Sequence, residues 1–346
     1  MSTSKTPIFL TGATGYIGGA VLARLLSHPS ANTFEITTIV RSAEKAEILK
    51  EKFGVNAIVG THAEHDKIES LAENSHVVFH LADAGDEALL QAILNGLKKR
   101  HSKVGDLPIL IHTSGTGVLI DDARGEYATD TIHSDLNIEQ LKSISPTSFH
   151  RDVDLAVVDA DEKGFARTHI VLPSTIYGIA AHPLAKAGVS NPHSLQIPAI
   201  TRASLDRKRA GVVGRGLAWW PNVHIDDIAE LYIVLFDSSI SNPDKTGHGW
   251  EGWYYGENGE HHWIDISRAV GKALVELGIT DNAEPTSFAV EELPKYFGSE
   301  GFGWSFGSNC RCRADRGRAL GWKPKYTTQD LVASIKPEVE AFAKKQ

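Results

Sequence analysis

The chain has 346 residues, of which 42% are hydrophobic and 23% charged, and 35 Lys and Arg against 43 Asp and Glu give a formal net charge of −8. A chain of this length can bury a substantial core, and it has no block of like charges, so fibrous and disordered classes are excluded. The acidic balance argues against a nucleic-acid partner, which requires a basic surface.

Short β-branched segments alternate with segments of helical periodicity through the first half of the chain. The predicted strands are 7–11, 34–40, 55–59, 76–82, 108–114 and 168–173. One predicted helix follows the first strand and ends at about residue 27, and three others span 43–53, 87–99 and 151–162. Because the strands are apolar on both faces, the pattern predicts an α/β fold with a doubly wound parallel sheet.

This alternation breaks after Pro173, where four prolines follow in residues 179–222. Beyond them the pattern predicts a helix at 223–236, a strand at 253–256, a helix at 264–277 and two further segments, 289–297 and 331–345. We predict that residues 1–178, completed by about 222–256, form the sheet domain. Residues 179–221 and 257–346 are predicted to form a smaller, interleaved substrate lobe.

A glycine-rich turn, TGATGYIGG at residues 11–19, lies between the first predicted strand and the first predicted helix. Glycines in a GxxGxxG pattern at such a turn allow a tight bend, close approach to a pyrophosphate and tight packing of the helix on the strand. The pattern predicts a dinucleotide site, the alternative being three turn glycines without a ligand. The predicted cofactor contacts here are Thr11, Gly12, Thr14, Gly15, Tyr16, Ile17 and Gly18.

The end of the second strand indicates which dinucleotide is bound. An NAD site usually carries Asp or Glu about 20 residues after the glycines, whereas a 2′-phosphate requires a cation. Here Arg41 and Ser42 follow the strand, Lys45 comes one turn later, and no acidic residue stands at the strand end. We therefore predict NADP(H) rather than NAD(H), the alternative being a solvated arginine at the start of a helix.

Two cysteines, Cys310 and Cys312, are separated by one residue, a spacing that argues against a mutual disulfide and for a reducing compartment. The N-terminus has no signal-peptide pattern, and no stretch approaches 18 uninterrupted apolar residues. We expect a cytoplasmic, soluble protein without a membrane partner.

Sixteen histidines raise the question of a metal site, but no spacing among them offers three ligands with a carboxylate, so we expect no metal. The adjacent Trp219 and Trp220 do not both fit easily into one core. They are predicted to form the wall of a substrate pocket for a bulky, partly aromatic metabolite, with plain core packing as the alternative.

Five segments, taken in order, resemble the extended short-chain dehydrogenase/reductase superfamily near its epimerase/dehydratase and NmrA-like branches: TGATGYIGG (11–19), HLAD (80–83), HTSGTG (112–117), LPSTIYG (172–178) and VHIDDIA (223–229). The resemblance spans nearly the whole chain. It implies a Rossmann sheet of about seven strands, a smaller substrate lobe and a catalytic set of Ser, Tyr and Lys. It also implies further cofactor contacts at Leu81, Ala82, Asp83, Thr113, Pro173, Ser174, Thr175 and Ile176.

The chain departs from that family at the YxxxK pair. Ser114 matches the serine after the fifth strand, but one alignment places Pro146 and His150 at the tyrosine and lysine positions, and the other places Tyr127 and Thr131 there. His150 would then hold the nicotinamide ribose, and the proton must come from another group. The candidate proton donors are Tyr177, Tyr127, His150 and Ser114, each with a packing or surface role as the alternative.

Three functions are compatible with these features. The first is an NADP(H)-dependent oxidoreductase acting on a carbonyl or alcohol of a small apolar metabolite with an unusual proton donor. The second is a non-redox isomerase, cyclase or lyase that uses His150, Tyr177 or Asp154 for acid/base chemistry. The third is an NmrA-like protein that senses the redox state of NADP. The expected partner is a small-molecule substrate, and a homodimer remains open.

Overall fold

The computed structural model describes residues 5–344. Residues 1–4 and 345–346 lie outside this range. They include the outer ends of the two predicted domains and the last residue of the predicted segment 331–345. The first elements alternate in type: β1 (Thr6–Thr11), α1 (Tyr16–Leu26), β2 (Phe34–Val40), α2 (Ala43–Phe53), β3 (Asn56–Val59), α3 (His65–Glu73), β4 (Val77–His80), α4 (Glu87–Val104) and β5 (Ile109–Thr113).

The remaining elements are shorter on average and include several two-residue strands. Up to the fifth long helix they are β6 (His133–Ser134), α5 (Ile138–Lys142), α6 (Arg151–Glu162), β7 (Arg167–Pro173), β8 (Thr175–Tyr177), α7 (Pro183–Lys186), α8 (Gln196–Arg207), β9 (Gly211–Val212), β10 (Trp219–His224) and α9 (Ile225–Ser241). The last are β11 (Trp253–Gly256), β12 (Glu260–His262), α10 (Trp263–Glu276), β13 (Thr286–Ser287), α11 (Glu292–Phe297), α12 (Glu300–Ser305), β14 (Cys312–Arg313), α13 (Asp315–Ala319) and α14 (Thr328–Ala343).

Seven strands form the main sheet in the order β3-β2-β1-β4-β5-β7-β11. Every neighbouring pair is parallel. The strand order reverses between β1 and β4, whose carboxyl ends meet where Thr11 pairs with His80. Ligands of open α/β sheets bind at such a reversal point. The predicted α/β fold with a doubly wound parallel sheet of about seven strands is confirmed.

Buried apolar side chains fall into two clusters. The first surrounds the main sheet and includes Phe9, Phe79 and Phe236. The second, which we call the second core, packs α8, α10 and α14 together through side chains such as Trp263 and Leu331. The predicted division into two interleaved domains stays a prediction.

Two local features differ from the sequence pattern. Helix α3 was not predicted, because it is mostly polar and buries only Ile68 and Ala72. Helix α9 begins at Ile225 rather than at residue 223, since the preceding residues belong to β10, which pairs with β8. His224 caps this helix, its Nδ1 accepting a hydrogen bond from the backbone N–H of Asp226 at 3.2 Å.

Candidate functional site

The glycine-rich turn packs tightly against the exit of β4. Gly12 has a φ of +75°, and a Cβ there would lie 2.5 Å from the carbonyl oxygen of Leu81. A Cβ on Gly18 would lie 2.1 Å from the carbonyl oxygen of Gly12, so neither position tolerates a side chain without a shift of the backbone. The sequence therefore requires glycine at these two positions for geometric reasons.

The turn leads into a helix end that suits an anion. Helix α1 begins at Tyr16 after Gly15, with no side-chain cap and no acidic residue in its first turn. Its first backbone N–H groups and the positive end of its dipole are therefore available to a phosphate. The backbone is closely approachable here because Gly15 and Gly18 carry no side chains. These residues fit the pyrophosphate of a dinucleotide.

The second predicted cofactor contact region lies at the end of β2. Arg41 is exposed, and among residues 5–344 it has no carboxylate within ion-pair distance. Ser42 caps α2, because its Oγ accepts a hydrogen bond from the N–H of Lys45 at 3.2 Å. His62, which sequence reasoning missed, lies close to Arg41. Burial lowers the pKa of His62, Asp86 opposes this shift, and Arg41 adds to it.

A cavity of about 570 Å³ opens at the carboxyl edge of the sheet, between the sheet and the second core. Among the residues that line it in the described part of the chain, none is Lys, Arg, Asp or Glu. Several predicted site residues line this cavity: Tyr16, Ile17, Leu81, Ser114, His150, Pro173, Ser174, Ile176 and Trp220.

Other predicted cofactor contacts do not line the cavity. Thr11 accepts the N–H of Leu81 on its Oγ1 at 3.1 Å, and Asp83 is an exposed residue of the loop after β4. The hydroxyl of Thr113 is 2.7 Å from that of buried Tyr232, so this side chain contacts α9. The full set outside the cavity lining is Thr11, Gly12, Thr14, Gly15, Gly18, Arg41, Ser42, Lys45, Ala82, Asp83, Thr113 and Thr175.

Two of the four candidate proton donors lie outside the cavity. The hydroxyl of Tyr177 donates to the backbone carbonyl of Thr327 at 2.7 Å, and the side chain packs in the second core. Burial raises its pKa well above the ordinary value. Tyr127 is an exposed loop residue whose pKa is raised chiefly by the negative charge of Asp121. The structure therefore places neither Tyr177 nor Tyr127 in the lining of this cavity, and their role as proton donors stays a prediction.

Trp219 is also placed differently from the prediction. Its ring packs against that of His262 in a tilted arrangement at a centroid distance of 3.6 Å, and Trp219 does not line the cavity. Trp220 does line it, and its indole N–H donates to the backbone carbonyl of Ser308 at 2.7 Å. The two adjacent indoles point to different surroundings because successive residues of β10 face opposite sides of the strand.

Ser114 reaches the cavity from the end of β5 and donates a hydrogen bond to Asp154 Oδ2 at 3.1 Å. Asp154 lies on α6 and is fully buried. Burial raises its pKa to about 7, although the Ser114 hydrogen bond and the charge of Arg151 act in the opposite direction. The cavity therefore has a buried carboxyl group directly behind its serine.

His150 lines the cavity at the start of α6. It adopts a left-handed backbone with a φ of +61°, and its ring contacts that of Phe149 at a centroid distance of 3.9 Å. Burial lowers its pKa, with Asp83 and Asp152 opposing the shift. A neutral imidazole at this position can donate or accept a hydrogen bond, but it supplies less positive charge than a lysine would.

Sequence reasoning missed a second histidine in the cavity. His193 Nδ1 lies 2.8 Å from Oε1 of Glu338, a buried carboxylate on α14. A carboxylate in this position fixes the orientation of the imidazole, and His193 lines the cavity. No sequence signal could have found this pair, because 145 residues separate its members.

Both cysteines are buried free thiols, and burial raises the pKa of Cys310 to about 12. Across residues 5–344, no group of three or more His, Cys, Asp or Glu side chains is arranged to hold a metal ion. In the same range no helix is both long and apolar enough to cross a membrane.

Comparison with known proteins relates this chain to NAD(P)H-binding proteins. Residues 12–132 match the NAD(P)H-binding family. The chain is 30% identical to the oxidase ucsJ of Acremonium sp over 333 residues, which cover 92% of each protein. It is 23% identical to an uncharacterised protein of Schizosaccharomyces pombe over 93% of this chain and 96% of that protein.

Solved structures share the whole fold at low sequence identity. UDP-glucose 4-epimerase of Thermotoga maritima superposes with a TM-score of 0.64 at 15% identity, covering 98% of this chain and 99% of that one. dTDP-glucose 4,6-dehydratase of Bacillus anthracis, in complex with NAD, superposes with a TM-score of 0.63 at 16% identity, covering 98% and 97%.

Proposed function

The chain belongs to the extended short-chain dehydrogenase/reductase superfamily, and we propose that it is an NADP(H)-dependent oxidoreductase acting on a carbonyl or alcohol of a small apolar or aromatic metabolite. The observation that carries this proposal is the continuity of the anion-binding turn with the cavity. Tyr16 and Ile17, the first residues of α1, line the same cavity as Ser114 and His150.

The residues around the turn fit the parts of the cofactor. The N-terminus of α1 would hold the pyrophosphate, and Arg41 with Ser42 and Lys45 would hold the 2′-phosphate. Leu81, Pro173, Ser174 and Ile176 line the cavity beyond the turn and would contact the nicotinamide half. When bound, the cofactor supplies or accepts a hydride at the reacting carbon.

The cavity walls support an uncharged, apolar substrate. Phe149, Trp220 and Phe302 contribute aromatic surface, and Ile120 and Leu195 contribute aliphatic surface. The described lining residues carry no cationic side chain that could bind the diphosphate of a nucleotide sugar. We therefore infer that the substrate is bound by burial of apolar area and oriented by a few polar groups.

The polar groups available to the reacting oxygen are Ser114, His150 and His193. The hydroxyl of Ser114 would donate a hydrogen bond to a substrate carbonyl and stabilise the negative charge that develops there on reduction. His150 would orient the substrate or the ribose from the start of α6. None of these roles requires the YxxxK pair.

A non-redox isomerase, cyclase or lyase is the second candidate function. It is favoured by the Ser114–Asp154 and His193–Glu338 pairs, which offer acid/base chemistry at the cavity without a hydride. A pure redox sensor is less well supported, because a sensor of the dinucleotide needs no substrate-sized cavity beside it.

Absorbance at 340 nm, followed with NADPH and NADH over a panel of aromatic and aliphatic ketones, aldehydes and alcohols, tests the proposal. We expect turnover with apolar carbonyl compounds and a preference for NADPH. Tight NADPH binding with no turnover across the panel would contradict the oxidoreductase function. Product formation that persists with a redox-inert cofactor analogue would support the non-redox candidate instead.

A further inference from the structure

A row of buried polar side chains extends from Ser114 into the sheet. Asp154, His112 and His80 are all fully buried, and Ser114 is 7% exposed. Parallel pairing of β4 with β5 sets His80 directly beside His112, so both side chains stand on the same face of the sheet. Their Nδ1 atoms are 2.8 Å apart. Helix α6 covers this face and brings Asp154 between His112 and Ser114.

Three polar atoms in this row have no hydrogen-bond partner among the described residues: Oδ1 of Asp154 and Nε2 of both His112 and His80. Two of them face each other, since Asp154 Oδ1 lies 3.7 Å from His112 Nε2. An unpartnered buried polar atom costs about 1 to 3 kcal/mol of stability. A small movement that shortens the distance between Asp154 Oδ1 and His112 Nε2 would form a hydrogen bond and remove this cost for both atoms.

The Nδ1–Nδ1 contact allows two proton arrangements. One imidazole must donate and the other accept. When His112 accepts on Nδ1, its Nε2 carries a hydrogen toward Asp154 and stabilises a carboxylate. When His112 donates on Nδ1, its Nε2 is a bare acceptor and suits a protonated Asp154. The two histidines can therefore accommodate both protonation states of the acid.

Burial keeps the two histidines neutral near pH 7, since it lowers the pKa of His80 to about 4 and that of His112 well below its ordinary value. Asp154 is thus the member of the row that titrates near neutrality. Other charged or titratable groups acting on the row come from α6, from the loop after β3 and from the loop after β4: Arg151, Asp152, His150, His62 and Asp86.

We propose that Asp154 is the proton reservoir of the cavity, acting through the hydroxyl of Ser114 and supported by the His112–His80 pair. This inference rests on the proposed oxidoreductase function. Ser114 would touch the substrate and is the catalytic residue in this arrangement, whereas Asp154 is a positioning and proton-holding residue behind it.

The step balances in the direction of reduction. A bound reduced cofactor would supply the hydride to the carbonyl carbon, and the electron pair of the C=O π bond would move to the oxygen. That oxygen takes the proton of the Ser114 hydroxyl, and Ser114 Oγ regains a proton from the Asp154 carboxylic acid. Asp154 is left as a carboxylate that accepts hydrogen bonds from Ser114 and from His112 Nε2–H. Alcohol oxidation reverses each transfer.

Asp154→Asn tests the role of the titrating proton, because the amide keeps an acceptor for Ser114 and loses the acid. For reduction by NADPH, we expect wild-type kcat to fall as the pH rises through about 7. In Asp154→Asn, kcat should drop by about 100-fold or more and lose this pH dependence, while KM and NADPH affinity change less than about twofold. Asp159→Asn, an exposed carboxylate on the same helix, is the matched control and should behave like wild type.

A double variant separates a proton relay from independent effects. Ser114→Ala with Asp154→Asn should be no slower than Ser114→Ala alone, because both changes interrupt one path. Losses that multiply in the double variant, or an Asp154→Asn enzyme that retains the wild-type pH profile, would overturn the assignment.

Carbon-13 NMR of labelled aspartate carboxyl groups tests the reservoir without turnover. We expect the Asp154 resonance to titrate near neutral pH in the wild-type protein. Titration in the ordinary aspartate range overturns the reservoir whatever the enzyme's activity. A near-neutral titration in a protein that reduces no carbonyl compound would overturn the oxidoreductase function instead and leave the buried acid established.

Discussion

Replacing Arg41 with alanine should weaken NADPH binding selectively. Arg41 stands at the carboxyl end of β2, is exposed, and among the described residues has no competing carboxylate within ion-pair distance. Its guanidinium is therefore available to the 2′-phosphate that distinguishes NADPH from NADH. The truncation leaves Ser42 and its cap of α2 in place, so the local backbone should not change.

The magnitude follows from the exposure of this side chain. A hydrogen bond to a charged group contributes about 1.5 to 3 kcal/mol, and exposure to solvent reduces this for Arg41 to about 1 to 2 kcal/mol. That loss corresponds to an increase of about 5- to 30-fold in the Kd for NADPH. The difference should shrink at high salt, because exposed charges are screened over about 10 Å at 0.1 M ionic strength.

Isothermal titration calorimetry of both cofactors at two salt concentrations measures these quantities. NADH binding to Arg41→Ala should stay within about twofold of wild type. Lys50→Ala, an exposed cation in the last turn of the same helix α2, is the matched control and should leave both affinities unchanged. Equal weakening of NADPH and NADH by Arg41→Ala, or no weakening of either, would refute the reasoning.

Three further changes test the glycine-rich turn, the Tyr177 hydroxyl and the buried Asp154. Gly18→Ala places a Cβ 2.1 Å from the Gly12 carbonyl oxygen, so it should lower the free energy of unfolding by about 1 to 3 kcal/mol. It should also remove the rise in Tm on adding NADPH, and an unchanged rise would contradict this. Tyr177→Phe loses the hydrogen bond to the Thr327 carbonyl, which should lower the free energy of unfolding in urea by about 1 kcal/mol and leave kcat within about twofold. Loss of turnover in the folded variant would instead support Tyr177 as the proton donor. The raised pKa of Asp154 stabilises the folded state fully below about pH 4, and this contribution is lost as the pH rises through about 7. The free energy of unfolding of the wild type should therefore fall by roughly 2 to 3 kcal/mol relative to that of Asp154→Asn between pH 5 and pH 8. A difference between the two proteins that is independent of pH would argue against the raised pKa.

The main sheet and the cofactor turn could be predicted because their signals are local. Apolar strands of four to seven residues separated by helical periods leave few arrangements other than a parallel sheet. The glycines are dictated by contacts within one turn and with the next strand, as at Gly12 and Gly18. Helix α3 escaped prediction since it buries only two apolar side chains, and α9 was extended by two residues because β10 precedes it without a break.

The polar groups of the cavity could not be predicted in the same way. Ser114 and Asp154 are 40 residues apart, and the hydrogen bond between them depends on how α6 lies against β5. The sequence also offered Tyr177 as a candidate proton donor, yet its hydroxyl donates a hydrogen bond to the backbone near α14. The sequence gives the identity of Ser114, Asp154 and Tyr177, but contacts with neighbouring elements decide the direction in which each side chain points.

The sequence by itself determined that this chain forms a dinucleotide-binding α/β fold with a cationic side chain at the end of β2, because strand polarity, glycine geometry and charge are properties of short segments. Only the tertiary structure decided which polar groups meet at the cavity: Ser114 with Asp154, and His193 with Glu338. The physical reason is that burial, and with it the pKa of a carboxyl group such as Asp154, arises from contacts among distant segments that no local pattern encodes.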